Sequence, residues 1–364
     1  MKIINLIIWI LNWVSGFLLF ISYLALYISP QTSTLPAFLG LIYPLLLMIN
    51  IIFIVWWLFV RWKRLFFSLI IILLGFTHIG RTWQLKGTSI PDKADAGQIK
   101  VMSYNVQLFG LYNWKENTNI RDSIVSFLAD EQPDILCLQE YFFSENSNFE
   151  TTRLLRENLT AGNLHQGVAI EAVNKQKFGM ASFLNYPIID RGEIQFDSSN
   201  NLCIYTDFLW HGDTTRLYNI HLQSIHFNND DYEDVDKLIL SEIDRKKLSR
   251  YNSIRKKLAY AFKRRASQAS EVGQHIENSP YPVIICGDFN DSPISYAYHQ
   301  IGKNMDDSFT ESGQGLAYSY KRKYLRMRID HILHSKSLQS FEHKVHEIGF
   351  SDHFPVSCFL RKEE

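Results

Sequence analysis

The sequence predicts an α/β domain carried behind a transmembrane helical region. Three observations lead there: the first eighty residues contain uncharged runs long enough to cross a bilayer, strand-length apolar runs with helical stretches between them recur from residue 99 to 362, and nearly all the charge lies beyond residue 80. At 364 residues, 46% of them hydrophobic, the chain exceeds one small domain and can bury a large core.

The first region spans residues 1–81, with helices expected over 3–28, 37–60 and 65–79. The first two runs hold no charged side chain, and each exceeds the roughly 20 residues that cross hydrocarbon. A cleaved leader has one shorter apolar core, so repeated long runs read as permanent helices. The third run is short at about 1.5 Å per residue and spans only if Trp62, Arg64, Arg81 and Trp83 anchor its ends. His78, near the end of that run, is expected to reach the headgroup layer.

Charge sets the orientation. Arg61, Lys63 and Arg64 lie between the second and third helices, while the first connection, SPQTSTLP, is uncharged, which places the basic loop in the cytoplasm. Three crossings make the chain a multi-pass integral membrane protein with an extracytoplasmic (periplasmic or extracellular) domain. A third run that only dips into the bilayer would leave that domain in the cytoplasm. Residues 82–98, including KGTSIPDKADAGQ, have the composition of a solvated linker.

Beyond the linker, one folding unit is expected over 99–362. Runs such as IKVMSYNV, DILCLQE, LCIYTDFLW, TRLYNIHL and PVIICGDF have strand length and composition. Ile120, Ile124, Phe127 and Leu128 follow helical spacing and stop before Pro133, so strands and helices interleave. A long amphipathic helical segment is expected over 230–278, with Leu248, Tyr251, Ile254, Leu258, Phe262, Ala266, Ala269, Val272 and Ile276 on one face. Ten Lys and Arg fall between Arg245 and Arg265; they read as a solvated face, with nucleic acid or anionic lipid as the alternative ligand.

Overall, 37 basic residues balance 37 acidic ones, so no global field draws the protein to polyanions, and any attraction to phosphate is local. Cys137, Cys203, Cys286 and Cys358 lie inside apolar runs without metal-ligand spacing and read as small buried hydrophobes.

The chemistry gathers at strand ends. In VIICGDFNDSP a greasy run stops at Gly287 and presents Asp288, Asn290 and Asp291, at the strand terminus where ligands collect in α/β sheets. Other runs end in Asn105, Glu140, His221, Asp330 and the pair Asp352-His353. Any one of them alone reads as a turn former or a locally satisfied histidine. Together they form a set of hard oxygen donors and imidazoles suited to a metal and a phosphate.

In this order, with GDFND and SDHFPV, and with GMASFLNYPI ahead of both, these residues resemble the endonuclease/exonuclease/phosphatase superfamily, whose fold is that of deoxyribonuclease I. The resemblance runs from about Ile99 to Leu360. It implies a four-layer α/β/β/α sandwich with one cleft at an edge of both sheets, and divalent-metal phosphoester hydrolysis with Mg²⁺, or Mn²⁺. Carried over position by position, Glu140 resembles the principal metal ligand, with Asn105 and Asp352 on the metal side. Asp288 resembles the residue that activates water, beside Asn290. His221 and His353 resemble the histidines that face the phosphate, and Asp330 the carboxylate that orients His353. One departure is Gln107, where the repair nucleases of the superfamily carry a carboxylate; it speaks against an abasic-site nuclease. Tyr320, Arg322, Lys323, Arg326 and Arg328 are candidates for the cleft mouth and a second phosphate.

The expectation is therefore a membrane-anchored metal-dependent phosphoesterase hydrolysing phosphodiester (or phosphomonoester) bonds, in a phospholipid head group or small phosphodiester, with a nuclease for DNA or RNA as the alternative. A catalytically inactive membrane-bound binding module is the remote third reading.

Overall fold

A computed structural model describes residues 2–89, 97–113, 119–144, 149–172, 175–197, 199–225, 245–322 and 325–363. The chain divides into two compact units. One comprises Met1–Trp83 with Ile225–Ser267 and Asp291–Gln300; the other comprises Gln84–Ser224, Gln268–Asn290 and Ile301–Glu364. The division falls at Trp83, and residues 84–88 of the expected linker pack on the second unit, Gln84 pairing with Gly315 and Thr88 Oγ1 donating to the Glu311 carbonyl, while two later stretches of chain join the apolar helices.

In the first unit lie α1 (Lys2–Tyr23), α2 (Leu35–Leu41), α3 (Tyr43–Val60), α4 (Leu65–Leu74) and α5 (Phe76–Thr82). Lys2–Leu26 and Tyr43–Val60 are long and apolar enough to cross a membrane; Trp62–Leu74 and Phe76–Thr82, bent by 64°, make a third candidate if taken as one span. The helix expected over 37–60 is broken at Ile42, because Pro44 has no N–H to offer the carbonyl four residues back. The third run bends at Gly75, where a Cβ would stand 2.2 Å from the Tyr23 ring.

Three helices are tied by polar side chains inside this apolar bundle. Asn12 Nδ2 donates to Ser68 Oγ at 2.6 Å, Ser68 Oγ to Asn50 Oδ1 at 3.0 Å, and Asn50 Nδ2 to Ser15 Oγ at 2.9 Å. Trp57 Nε1 closes the network on Asn12 Oδ1 at 2.8 Å. Buried and bonded to one another, such groups select one packing of the helices. His78 differs from its expectation: it is buried against the rings of Tyr23 and Tyr43 instead of reaching outward.

The second unit is built on β1 (Ile99–Asn105), β2 (Ile135–Ser144), β3 (Asn163–Glu171), β4 (Gln176–Leu184), β5 (Ile188–Gln195), β6 (Leu202–Trp210) and β7 (Asp213–His221). There follow β8 (Val283–Asp288), β9 (Met305–Asp307), β10 (Tyr320–Arg322), β11 (Leu325–Met327), β12 (Asp330–Ser335), β13 (Leu338–Val345) and β14 (Val356–Lys362). One six-stranded sheet runs β13-β14-β1-β2-β4-β3 and the other β5-β6-β7-β8-β12-β9, with β10-β11 as a separate hairpin.

Period-two alternation places the layers. On β1, Ile99 and Val101 join Cys137, Leu217, Ile284, Cys286 and Ile332 in a core drawn from both sheets. Met102 and Tyr104 face the other way and pack with Ile124 and Leu128 of α6 (Asn119–Glu131) and Leu155 of α7 (Thr151–Asn158). Over the second sheet, Tyr218 Oη meets His275 Nδ1 at 2.8 Å on the last turns of α8 (Arg245–Glu277). The result is the expected α/β/β/α order, and all four cysteines are free and buried.

The long helix shows its expected face for Ile254, Phe262, Ala266, Ala269, Val272 and Ile276, whereas Tyr251 is exposed. Residues 230–244 of the expected segment lie outside the described residues.

Candidate active site

Strand register assembles the site. Parallel pairing of β7 with β8 sets His221 opposite Asp288, and antiparallel pairing of β8 with β12 sets Asp330 opposite Asp288. Three functional side chains thus stand in one row across one sheet. From the other sheet, β1 ends at Asn105 beside Gln139, and Glu140 follows. His353 sits two residues before the start of Pro355-Val356, where β14 begins, and bridges to Tyr320 of β10.

Backbone conformation aims these groups. Glu140 has φ +49°, inside a register shift of the β2–β4 ladder between Leu138 and Tyr141. Such a bulge re-aims a side chain at a sheet end, and a non-glycine residue held there is an uncommon conformation kept by its surroundings. Asn290 has φ +52° just after β8. Gly287, before Asp288, has no alternative, since a Cβ would stand 2.1 Å from the Ile220 carbonyl oxygen.

Asp288 is the hub and is 1% exposed. Its Oδ1 accepts the Asn290 N–H at 2.8 Å. Its Oδ2 accepts Asn105 Nδ2 at 3.0 Å and Asn290 Nδ2 at 3.2 Å. The imidazoles flank the same oxygen beyond hydrogen-bond length, His353 Nε2 at 3.7 Å and His221 Nε2 at 3.8 Å. Asn105 Nδ2 also reaches Glu140 Oε1 at 3.3 Å, and His221 Nε2 lies 4.0 Å from that oxygen. Glu140, Asn105, His221, Asp288, Asn290, Asp330 and His353 are therefore brought together.

Burial and charge tune these groups. Burial pushes the Asp288 carboxyl up to about 6, against the pull of the two histidines. Burial alone would lower His353, but Asp330 and Asp288 overcome it and raise the imidazole to about 10. Asp330 Oδ2 meets His353 Nδ1 at 2.9 Å, which fixes the ring so that Nε2 faces Asp288.

The donor set suits a hard cation. Asp288, Asp330 and His353 bring ligand-capable atoms within 4.8 Å of one another, and Glu140 and Asn105 adjoin them. Asp330 Oδ1 is buried with no hydrogen-bond partner among the described residues. Several carboxylate oxygens with amide neighbours match the chemistry of a small divalent ion.

Some expected residues are occupied elsewhere. Asp352 holds Arg322, whose Nη2 and Nε reach its Oδ2 at 3.1 and 3.2 Å. Arg328 does not line a cleft mouth: it is 4% exposed and bonds Asp307 Oδ2 at 2.8 Å. Tyr320 packs edge-on to His353 with centroids 5.0 Å apart, Arg326 is exposed, and Lys323 lies outside the described residues. Gln107 supports the site through its backbone, donating its N–H to Asn105 Oδ1 at 3.1 Å.

Two serines escaped the sequence reading. Ser351 Oγ donates to the Asn105 carbonyl at 2.9 Å and accepts the His353 N–H at 3.1 Å, stitching β1 to the histidine loop. Ser319 Oγ accepts the N–H groups of Ile329 and Asp330. Ser351 directly precedes Asp352-His353, so adjacency to that pair was the available signal; Ser319 had none.

Comparison with known proteins shows the family and the fold. The family model described as Endonuclease/Exonuclease/phosphatase family matches residues 102–353, and a domain of unknown function matches residues 5–82. No curated protein matches. Among solved structures, a humanized D. rerio TDP2 is 17% identical, with a TM-score of 0.52 over 73% of this chain and 100% of that one. The human Nocturnin catalytic domain is 18% identical, at 0.51 over 73% and 94%. The Bacteroides thetaiotaomicron mannosyl-6-phosphatase Bt3783 is 17% identical, at 0.52 over 72% and 99%. At such identities these structures share the fold. The family model spans more than half of the sequence, and on it this chain belongs to the endonuclease/exonuclease/phosphatase family of ester-bond hydrolases.

Proposed function

We propose that the protein is a membrane-anchored, divalent-metal-dependent phosphodiesterase whose chemistry is carried by Asp288, Asn290, His221, His353 and Asp330. The observation behind this reading is the convergence of those groups and Glu140 around one buried carboxylate oxygen, Asp288 Oδ2.

Glu140 would hold the ion, with Asn105 beside it, while Asp352 is engaged by Arg322; Mg²⁺ suits the oxygen donors and Mn²⁺ is the substitute. Bound there, the ion would supply charge to offset the phosphate oxygens. The remaining work falls to the protein. Asp288, ionised above about pH 6, takes a proton from the attacking water, with its lone pairs directed by Asn105 and Asn290. His353, kept protonated by Asp330, donates from Nε2 to a phosphoryl oxygen as charge builds. His221 stands on the other side of Asp288 Oδ2, placed to bind a second phosphoryl oxygen.

The substrate reading favours a phosphodiester presented at a lipid surface. Exposed Arg255, Lys256 and Lys263 on α8 belong to the same compact unit as the apolar helices, and Gln31, in the first helix connection, donates to the Lys263 carbonyl at 2.9 Å. Cations there attract anionic phosphoesters through their local field. By the positive-inside rule the basic loop at 61–64 is cytoplasmic and that connection is extracytoplasmic.

The test uses the full chain in detergent micelles with Mg²⁺, comparing a chromogenic phosphodiester, phosphodiester lipids, single- and double-stranded DNA, and RNA. Hydrolysis that survives chelation, or survives Asp288→Asn, overturns the mechanism. A rate on DNA or RNA above that on lipid replaces the substrate assignment with the nuclease.

A further inference from the structure

The stretch that follows the catalytic loop is clasped by the first connection of the apolar helices. Residues 24–42 join α1 to α3, and the compact unit that contains them also contains Asp291–Gln300, which begins one peptide bond after Asn290. Inside that unit the side chains form a continuous chain of contacts. Phe38 stands edge-on to Phe262 with centroids 5.2 Å apart. The Arg265 guanidinium lies 5.2 Å over the same Phe262 ring, and its Nε donates to Asp291 Oδ2 at 3.0 Å.

Further contacts seal the arrangement. Ile294 is buried in one cluster with Leu19, Tyr23, Leu39 and Tyr43. Tyr27 meets the His299 ring edge-on at 5.1 Å. Gly40 approaches the Ile294 carbonyl so closely that a Cβ would stand 2.5 Å from its oxygen. The Arg265 and Asp291 side chains are 1% and 8% exposed, so each depends on the other to offset its lost hydration.

Asn290 needs such support. It holds φ +52°, a region that Asn adopts more readily than other side chains, while its N–H and amide grip Asp288, and that grip depends on where the flanking residues hold its backbone. Downstream, the flank is Asp291, fixed by Arg265.

We propose that residues 24–42, acting through Phe262, Arg265 and Asp291, are a positioning element of the catalytic loop, so that the apolar region supports catalysis and is not a detachable tether. This rests on the phosphodiesterase reading above. Loosening the connection relaxes Asp291, then Asn290, and Asp288 loses its orientation without loss of substrate binding.

The experiment compares Gly40→Val, Arg265→Met and the control Leu45→Ala, whose side chain is exposed on α3, with the parent full chain in micelles. Two quantities are read: kcat and KM on the chromogenic phosphodiester, and amide hydrogen exchange over residues 288–295. Gly40→Val and Arg265→Met are expected to lower kcat about tenfold or more with KM within about twofold, and to speed exchange there; Leu45→Ala changes neither. Unchanged kcat and unchanged exchange in both variants overturn the proposal. Should Gly40→Val not be recovered folded, Phe38→Ala, which removes only the ring on Phe262, is read the same way. A parent chain without metal-dependent hydrolysis sinks the phosphodiesterase reading instead, and the exchange measurement still decides the coupling.

Discussion

Asp330→Asn separates orientation from charge at the active site. An asparagine oxygen in the place of Asp330 Oδ2 still accepts the His353 Nδ1–H now found at 2.9 Å, so the ring keeps its direction. What goes is a negative charge beside an imidazole that is 6% exposed. The rise of His353 from 6.5 to about 10 corresponds to about 5 kcal/mol in favour of the imidazolium, supplied by Asp330 and Asp288 against the cost of burial. Asp330 lies closer, at 2.9 Å against 3.7 Å for Asp288, so half or more of that, about 3 kcal/mol, goes with its charge.

The rate loss expected is about fourfold at pH 8.5 and about 25-fold at pH 9.5, where the donor to the phosphoryl oxygen is largely neutral. The sign follows from the direction of the shift. A raised pKa means that the charged form, and the activity that needs it, is present below the folded value and lost as pH rises through it. The parent holds its rate toward pH 10, while the variant falls about two units earlier. His353 stabilises folding in the same sense, fully below about 6.5 and lost as pH rises through about 10. Initial rates on a chromogenic phosphodiester across pH 6 to 10, with the melting temperature as the check on folding, decide it. A variant within threefold of the parent at pH 9.5, with its alkaline limb unmoved, refutes the role given to Asp330.

Four further outcomes follow from the geometry. Glu140→Gln should raise the Mg²⁺ concentration for half-maximal rate by at least about tenfold, read from metal titrations of the rate. Gly287→Ala should destabilise the fold by about 3 kcal/mol or more, because its Cβ meets the Ile220 carbonyl oxygen at 2.1 Å, visible as a lower melting temperature. Asp307→Ala leaves the buried Arg328 guanidinium without its carboxylate and should cost about 3 to 5 kcal/mol in denaturant unfolding. His165, lowered to about 4 by burial, binds its proton more readily when unfolded. Its contribution is therefore present above about 6.5 and lost as pH falls toward 4, and His165→Gln should flatten that acid limb of stability.

The fold was legible where local chemistry decides it. Alternating apolar residues on β1 assign Val101 to the inter-sheet core and Tyr104 to the helix-covered face, as period two requires. The strand-end residues were legible in part: Asn105, His221 and Asp288 close β1, β7 and β8, whereas Asp330 opens β12, His353 precedes β14 and Glu140 lies within β2 at its bulge. What sequence could not supply was register. Nothing local says that His221, Asp288 and Asp330 stand in one row; that comes from the pairing of three strands distant in sequence. Glu140 is similar, because its bulge arises only when β2 meets β4.

Arg265 shows the same limit from the other side. In sequence it is the last of ten basic residues on an amphipathic helix, and a charge in such a run reads as solvated. In the structure it is 1% exposed and bound to Asp291. The run thus contains two kinds of cation with opposite consequences. Arg255, Lys256 and Lys263 face outward and can be neutralised one at a time with effects that salt screens. Arg265 is a desolvated partner, so Arg265→Met should act on the loop carrying Asp288 and Asn290 with little dependence on ionic strength. Measuring kcat for Arg265→Met and Lys256→Ala at low and high salt separates them. If both respond to salt alike, Arg265 works through its field at the surface, and the ion pair with Asp291 does not hold the loop.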